Sequence, residues 1–239
     1  KTVEKLGDRR DATYEFGTNP CSEIILRDKE FCNLSEVIVR ADDTPETLRR
    51  KVRLAAILGT WQASLTHFPY LSSDWRKNCE EERLLGVSLT GILDNKMMRT
   101  QGDALNTLLN DLREHAAATN AEWAKKIGIN PAAAITCVKP SGTVSQLTDA
   151  ASGIHARHNE YYIRTVRADR KDPMCQFMID KGIPAEPCVM RPDHTMVFSF
   201  PQKAVGSVTR NDMTAIQHLE LWLTYQRDRK STRLNSSHA

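Results

Sequence analysis

The chain has 239 residues, 40% of them hydrophobic and 26% charged, which is typical of a folded globular protein and excludes a disordered chain. The net charge of +3, without a basic run, gives no electrostatic argument for nucleic-acid binding. No apolar stretch approaches the roughly 20 residues that cross a bilayer, and the first residues lack the apolar core of a signal peptide. We therefore expect neither a nucleic-acid nor a membrane partner.

Helical and strand patterns alternate along the chain and predict an α/β fold. The boundaries follow from capping residues, turn residues and the spacing of apolar side chains. In chain order, the predicted elements are a strand over 31–39, a helix from Thr44 to about Ser64, a helix capped by Asp103 and stopped by Gly128, an apolar run over 132–138, a turn at 139–142 before a helical stretch over 143–149, a strand over 161–167, a short helix opened by Asp172-Pro173 and ended by Gly182, a strand over 195–200, and a helix over 209–225 with Met213, Ile216, Leu219 and Leu223 facing inward.

The last 13 residues differ in composition from the rest of the chain. Residues 227–239 contain one Leu, no aromatic residue and a cluster of Ser, Asn and Arg, so they cannot bury an apolar face. We expect them to be a disordered tail that is not native. Residues 1–226 contain no linker that clearly divides them, and we treat them as one domain.

Six cysteines are too few for a disulfide scaffold in a chain of this length, and they favour a reduced, cytoplasmic setting. None forms a Cys-x-x-Cys pair, so we expect no zinc site. His155 and His158 lie at helical spacing, but no third ligand accompanies them, and we predict no metal site there. The six are Cys21, Cys32, Cys79, Cys137, Cys175 and Cys188.

The segment that indicates chemistry runs from Gly17 to Ile24. Its Gly, Asn and Pro residues favour a loop tip. Cys21 and Glu23 are two residues apart, so on an extended backbone both side chains would point to the same side. A thiol and a general base would then address one small substrate together. The alternative, a packed thiol beside a solvated acid, is the commoner meaning of such a pair taken alone.

Three blocks of the sequence resemble the adenosylcobalamin-dependent ribonucleotide reductases, and among these the monomeric branch that reduces ribonucleoside triphosphates. The first block has Asn-Pro-Cys-Ser-Glu at residues 19–23 and Cys-Asn-Leu at residues 32–34. The others are residues 79–91 and residues 139–155. The blocks occur in the family's order and span residues 17 to about 200, which chance similarity of a single motif does not explain.

The resemblance implies a role for each matched residue. Cys21 matches the position that bears the thiyl radical, which takes a hydrogen atom from ribose C3′. Glu23 matches the base that removes the 3′-hydroxyl proton so that the 2′-hydroxyl leaves as water. Asn19 matches the amide that hydrogen-bonds the ribose. Cys32 matches one half of the dithiol that supplies the reducing electrons. The remaining four cysteines match no catalytic position, and we expect them to be structural.

A Gly-containing turn before a short helix is the expected site for the substrate's phosphates. Such a turn presents unpaired backbone N–H groups and the positive end of the helix dipole, and its hydroxyls add donors. The alternative is an ordinary capped helix. In the family that the sequence resembles, the matching turn binds substrate phosphates. Its residues here are Pro140, Ser141, Gly142, Thr143, Val144 and Ser145.

The resemblance further implies a fold, a cofactor and partners. The fold would be the second half of a ten-stranded α/β barrel with a central catalytic loop, so the chain is expected to be an incomplete fragment, inactive by itself. The cofactor would be adenosylcobalamin, the substrate a ribonucleoside triphosphate, and the reductant thioredoxin or a similar dithiol. Two alternatives stay open: a non-catalytic nucleotide-binding remnant, and the large subunit of a reductase that takes its radical from a metallo-subunit. A glycyl-radical reductase would need a radical glycine that this chain does not include.

Overall fold

A computed structural model describes residues 10–204 and 206–226 of the chain. These residues form two compact units. The first comprises residues up to 156 together with those from 213 onward, and the second comprises residues 157–212. The predicted tail at 227–239 lies outside the described residues. Helices and strands occur in both units, which confirms the α/β class.

The first unit contains four strands and six α-helices among its described residues. They are, in chain order, β1 Phe16–Thr18, β2 Ile25–Arg27, β3 Asn33–Ile38, α1 Pro45–Ala63, α2 Ser73–Glu82, β4 Leu85–Thr90, a 3₁₀ turn Ile92–Asp94, α3 Lys96–Arg99, α4 Asp103–Ile127, α5 Thr143–Leu147 and, after the second unit, the helix Ala215–Gln226.

Parallel pairing of β3 with β4 forms the centre of this unit, with Asn33 opposite Leu85 and Ile38 opposite Thr90. The predicted apolar run extends this pairing on the other edge of β4. There the Val87 N–H donates to the Ile135 carbonyl at 2.8 Å, and the Cys137 N–H donates to the Val87 carbonyl at 3.1 Å. Parallel strands need crossover connections, and helices α1, α2 and α4 lie in the two crossovers.

Helices α1 and α4 pack against each other, and α1 also covers β3 and β4. Helix α1 begins at the predicted cap. Thr44 and Thr47 form a capping box, and Pro45 is the first helical residue. Helix α4 ends at Gly128 as predicted, because this glycine adopts the left-handed conformation at φ 72°. Its predicted cap is wrong by one residue, since Asp103 is the first helical residue, where its carboxylate still favours the positive end of the helix.

One glycine fixes the end of β4. Gly91 has φ 80°, and a Cβ at this position would lie 2.3 Å from the Val39 carbonyl oxygen. Only glycine therefore allows the chain to turn out of the sheet here. The Gly91 N–H donates to the Ala151 carbonyl at 2.7 Å, which places the segment after α5 beside the carboxyl end of β4.

The second unit contains strands β5 (Tyr161–Asp169), β6 (Ala185–Pro187) and β7 (Thr195–Lys203), with helix α6 (Pro173–Asp180) between β5 and β6. The sheet is antiparallel, in the order β5-β7-β6. Cys175, Met196 and Phe198 form its buried core. The predicted cap at Asp172 and stop at Gly182 of α6 are confirmed, because both signals are local to the helix ends.

The last helix, α7 (Ala215–Gln226), differs from the prediction in its length and its inward face. Ile216, Leu219 and Leu223 are exposed, whereas Leu221 and Tyr225 are buried. The apolar residues of this helix lie on more than one side, so spacing alone did not define the inward face. The Tyr225 hydroxyl donates to the Met98 carbonyl at 2.7 Å, and burial of this aromatic ring determines the orientation.

Candidate functional site

The segment with the predicted chemistry forms the tip of an antiparallel hairpin. Strands β1 and β2 pair with Thr18 opposite Ile25, and residues 19–24 form the turn between them, which we call the hairpin tip. The Asn19 carboxamide oxygen accepts a hydrogen bond from the Ile24 N–H at 3.0 Å, and the Asn19 carbonyl accepts one from the Ser22 N–H at 2.9 Å. The amide NH₂ of Asn19 is then the part of the side chain that can donate to a ligand.

The backbone of the hairpin tip is not extended, so that part of the sequence argument is wrong. Ser22 has φ 59°, in the left-handed region, and this breaks the alternation of side chains between Cys21 and Glu23. Cys21 is exposed, whereas Glu23 is buried. The turn chemistry of the Asn-Pro-Cys-Ser sequence outweighed the strand geometry that the spacing suggested.

Glu23 forms an ion pair with Lys139, to which the sequence analysis gave no catalytic or binding role. Lys139 Nζ donates to Glu23 Oε1 at 3.2 Å, and the Glu23 side chain is only 2% exposed. Among the described residues, Glu23 Oε2 has no hydrogen-bond partner although it is buried. A buried carboxylate oxygen without a donor is costly, and such groups are common where a ligand completes the site.

Cys32 lies immediately before β3, half-buried against Leu84, Ala133 and Ala134. Burial and the negative charge of Glu23 raise the pKa of the Cys32 thiol to about 11, and the positive charge of Lys139 opposes this shift. The structure thus brings Cys32 into the electrostatic surroundings of Glu23. Cys21 lies near the same lysine, because a thiolate at Cys21 would raise the pKa of Lys139, as the carboxylate of Glu23 does.

Cys137 belongs to the same surroundings, which the sequence analysis missed. It is buried, and its Sγ lies 3.3 Å from the point where Gly86 would carry a Cβ, as does Ile24 Cδ1 of the hairpin. Burial, followed by the charges of Glu23 and Cys32, raises the pKa of the Cys137 thiol. Alternation along residues 135–139 contained the signal, because it places Cys137 and Lys139 on one face of the sheet.

The predicted phosphate turn is present, but its hydroxyls are not equivalent. The Ser141 hydroxyl oxygen accepts a hydrogen bond from the Ser145 N–H at 3.2 Å, and the Ser145 hydroxyl donates to the Gly142 carbonyl at 2.8 Å. Ser145 is fully buried, so its hydroxyl serves the turn itself. Gly142, Thr143 and Val144 are exposed, and their N–H groups lie in the first turn of α5, where helical partners are lacking.

The base of the hairpin is anchored by a buried ionic cluster, which we define as Arg10, Arg27, Glu30 and Glu82 and call the hairpin base. Arg10 donates through Nε and Nη2 to both carboxylate oxygens of Glu82, and its Nη2 lies 3.5 Å from Glu30 Oε2. Arg27 Nε lies 3.1 Å from Glu82 Oε1, and the Arg27 N–H donates to Glu30 Oε2 at 2.8 Å. Burial and the negative charge of Glu82 raise the pKa of Glu30 to about 8.

Two of the cysteines that were expected to be structural are buried in the cores of their units. Cys79 is buried and accepts a hydrogen bond from the Phe31 N–H, and Cys175 lies in the core of the second unit. Among the described residues, no group of three or more His, Cys, Asp or Glu side chains could hold a metal ion. No helix in the same part of the chain is long and apolar enough to cross a membrane.

Comparison with known proteins supports the resemblance of the sequence to the adenosylcobalamin-dependent ribonucleotide reductases. The chain is 31% identical over 228 residues to an adenosylcobalamin-dependent ribonucleoside-triphosphate reductase of Euglena gracilis, a match that covers 92% of this chain. It is 29% identical to a protein of the same description from Lactobacillus gasseri, a match that covers 83% of this chain. The chain spans 30% of the length of these relatives. No family model matches the chain.

The fold also matches a solved structure. A B-12-dependent (class II) ribonucleotide reductase aligns with a TM-score of 0.71 and 24% identity, over 94% of this chain and 34% of the reductase chain. At this identity the match establishes the fold of the corresponding segment.

Proposed function

Because this chain is a homologue of the adenosylcobalamin-dependent ribonucleoside-triphosphate reductases over 92% of its length, we propose that the protein containing it reduces ribonucleoside triphosphates to 2′-deoxyribonucleotides. The observation that carries the proposal is the hairpin tip. There an exposed thiol, Cys21, stands beside a buried carboxylate, Glu23, which keeps one oxygen without a partner among the described residues. Cys32 lies in the same electrostatic surroundings.

The first step assigns the hydrogen-atom transfer to Cys21. Its thiyl radical takes the hydrogen atom from ribose C3′, so that an S–H bond forms while the C3′–H bond breaks. An exposed thiol at a hairpin tip fits a radical-generating cofactor, because the hydrogen atom of the thiol must be withdrawn from outside the hairpin. When bound, adenosylcobalamin supplies the radical chemistry that oxidises this thiol.

The second step is proton transfer and loss of water. The unpartnered Glu23 oxygen accepts the proton of the ribose 3′-hydroxyl, and the 2′-hydroxyl takes a proton from a thiol of the Cys32 dithiol and leaves as water. The Asn19 amide NH₂ donates to the ribose and holds it against both groups. The hairpin turn supports this role, since the other end of the Asn19 amide is fixed on the Ile24 N–H.

The third step is reduction of the deoxygenated sugar. Cys32 and a second thiol deliver two electrons and become a disulfide, after which Cys21 returns the hydrogen atom to C3′ and is a radical again. A dithiol such as thioredoxin would then reduce the disulfide. The raised pKa of Cys32 keeps this thiol protonated at neutral pH, which suits a group that gives up hydrogen rather than acting as a nucleophile.

The substrate's triphosphate is assigned to the turn at residues 140–145. The exposed N–H groups of Gly142, Thr143 and Val144 would bind phosphate oxygens, and the Thr143 hydroxyl would add a donor. Ser141 and Ser145 would shape the turn through their own hydrogen bonds. Lys139 directly precedes the turn and contacts Glu23, so the sugar and phosphate regions would be contiguous.

We further propose that the chain forms the second half of a ten-stranded α/β barrel, with the hairpin as its central loop. Among the described residues, β3 pairs on one edge only. Beside that edge lie the exposed side chains of Leu54 and Leu58 on α1. An open edge flanked by exposed apolar residues favours continuation of the sheet by another strand. That part of the protein would also supply the disulfide partner of Cys32.

The test is an assay of the full-length protein with a ribonucleoside triphosphate, adenosylcobalamin and a dithiol. We expect the full-length protein to form deoxynucleotide. The Cys21→Ser variant should form none, because a hydroxyl O–H bond is too strong to cycle as a radical. The 239-residue chain alone should also form none. Conversion by Cys21→Ser would overturn the radical assignment. Absence of conversion by the full-length protein, with nucleotide binding retained, would favour the non-catalytic nucleotide-binding alternative.

A further inference from the structure

We propose that Lys139 is a positioning residue that holds one oxygen of Glu23 and so fixes its second oxygen toward the substrate. This inference rests on the proposed function and deepens it, because it assigns the group that orients Glu23. It stands on the 3.2 Å contact between Lys139 Nζ and Glu23 Oε1 and on the burial of that carboxylate.

The burial of Glu23 gives Lys139 its importance. Taking an ionised carboxylate out of water is unfavourable unless a cation or hydrogen-bond donors compensate it. Lys139 is the cation placed on Glu23 in the structure, and its own side chain keeps 27% exposure. The desolvation penalty of Lys139 is therefore smaller than that of Glu23. Lys139 can stay charged and neutralise the buried carboxylate of Glu23.

The contact also divides the two carboxylate oxygens between different tasks. Oε1 accepts from Lys139, whereas Oε2 is buried and has no partner in the described part of the chain. A carboxylate that rotated freely would offer either oxygen to a substrate. The lysine removes that freedom, so the oxygen that would accept the 3′-hydroxyl proton is selected before the substrate arrives.

Among the described residues, the other titratable groups that act on this site are thiols and two carboxylates, Glu36 and Glu30, of which Glu30 acts on Cys32. Cys32 and Cys137 both experience the charge of Glu23, and both experience the opposing charge of Lys139. Cys21 acts on Lys139 from the hairpin, and Glu36 of β3 acts on Cys137. Either carboxylate and any thiolate would add negative charge, so none of these groups replaces the lysine as a partner.

Lys139 itself is suited to remain charged. Partial burial lowers its pKa, but the hydrogen bond and charge of Glu23 outweigh that effect, and the pKa of Lys139 is raised overall. The two residues are 116 positions apart in the sequence, and the lysine immediately precedes the predicted phosphate turn. A competing role for Lys139 is therefore direct binding of a substrate phosphate.

The first experiment uses the full-length protein without substrate and requires no activity. The alkylation rate of each cysteine is followed against pH by mass spectrometry in the parent protein, in Lys139→Met, in Lys139→Arg and in Glu23→Gln. We expect Cys32 to react about threefold more slowly at pH 9 in Lys139→Met and faster in Glu23→Gln, because the two changes remove opposite charges. Lys139→Arg should resemble the parent.

Cys79 is the internal control, because its pKa is raised by burial and influenced by Glu30, Arg83 and Glu80 rather than by Lys139. A variant that merely loosened the fold would expose Cys32 and accelerate its alkylation. Faster alkylation of Cys32 in Lys139→Met, or an unchanged rate, would therefore overturn the inference.

The second experiment measures turnover of the same full-length protein. In Lys139→Met we expect kcat at pH 7 to fall about 10²-fold, with KM within threefold of the parent, since the Glu23 carboxylate then loses its fixed orientation. Lys139→Arg should restore most of kcat. A raised KM with unchanged kcat would assign Lys139 to the phosphates and overturn the inference.

The two experiments separate the failure of this inference from the failure of the proposed function. If the thiol rates behave as expected but the unaltered full-length protein forms no deoxynucleotide, the Lys139–Glu23 arrangement stands and the reductase proposal fails. If the protein is an active reductase and the thiol rates do not respond to Lys139→Met, the reductase proposal stands and the role of Lys139 is wrong.

Discussion

The base and the tip of the hairpin both bury carboxylates, but they differ in the number of cationic partners that they provide. At the hairpin base, Arg10 and Arg27 surround Glu82 with three ion-pair contacts, and Glu30 accepts from the Arg27 backbone. At the hairpin tip, Glu23 has one lysine and one oxygen without a partner among the described residues. Glu30 Oε1 at the base also lacks a hydrogen-bond partner, so the difference lies in the number of cations: two arginines at the base and one lysine at the tip. Carboxylates surrounded by cations stabilise the fold, whereas a carboxylate with a single cation keeps capacity for a ligand.

The residues that stabilise the fold and the residues proposed to react therefore lie at opposite ends of the hairpin. The base joins Arg10, which precedes β1, and the end of β2 to the end of α2 through Glu82, so it holds the hairpin while the tip remains accessible. We therefore expect substitutions at the tip to affect turnover and substitutions at the base to affect the free energy of unfolding. The following predictions test that separation.

The largest effect is expected at the tip. Glu23→Gln keeps the shape of the side chain but cannot accept the 3′-hydroxyl proton, so kcat of the full-length protein should fall by ~10²–10⁴-fold. The free energy of unfolding, measured by urea denaturation, should not decrease, since the variant removes a buried charge. A kcat within threefold of the parent would contradict the role of Glu23.

A comparable effect on stability is expected at the base. Glu82→Ala leaves Arg10 and Arg27 buried without their shared carboxylate, which should cost about 3–5 kcal/mol of unfolding free energy in urea denaturation. Glu81→Ala is the matched control, because Glu81 also pairs with Arg27 but is 42% exposed, and it should cost less than about 1 kcal/mol. Equal costs for the two variants would contradict the separation of roles.

The base should also make stability depend on pH through Glu30. Its folded pKa is about 8, above its ordinary value of 4.5, so the folded chain retains a proton that the unfolded chain releases first. Stability should therefore fall as the pH rises from about 4.5 through about 8. Glu30→Gln removes this dependence and should be more stable than the parent above pH 8 by on the order of 2 kcal/mol. Parallel stability profiles of the two proteins would be the contrary result.

The smallest effect is expected at the phosphate turn, which should behave like the tip. A Cβ at Gly142 meets no atom within 4 Å, so Gly142→Val should fold normally. The added side chain would obstruct ligand access to the backbone N–H groups and raise KM for a ribonucleoside triphosphate about tenfold. Val144→Ala is the control, since it shortens a side chain and leaves the N–H in place. An unchanged KM for the Gly142 variant would make the turn an ordinary helix cap.

Much of the fold could be predicted because its signals are local. Thr44-Pro45, Gly128, Asp172-Pro173 and Gly182 mark the ends of helices through hydrogen bonds and backbone conformations that involve only neighbouring residues. The inward face of α7 could not be predicted in the same way. Its helix has apolar residues on several sides, and the contact of Tyr225 with Met98, 127 residues away, determined which side is buried.

The candidate site shows the same division. The sequence by itself determined that residues 19–23 form a turn with a thiol and a carboxylate, and the motifs at residues 32–34 and 139–145 allowed the resemblance to ribonucleotide reductases. It misjudged the direction of the two side chains, because the left-handed conformation of Ser22 depends on how the whole turn closes. The roles of Asn19, Cys21, Glu23 and Cys32 stay predictions.

Only the tertiary structure brought Lys139 onto Glu23 and placed Cys137 beside the hairpin, because these contacts join segments that are more than 100 residues apart. The same is true of the hairpin base, where Arg10 meets Glu82 across 72 residues. Capping and turn preferences act over a few residues and can be read along the chain. The burial of a charge and its choice of partner are set by long-range packing, which no local pattern encodes.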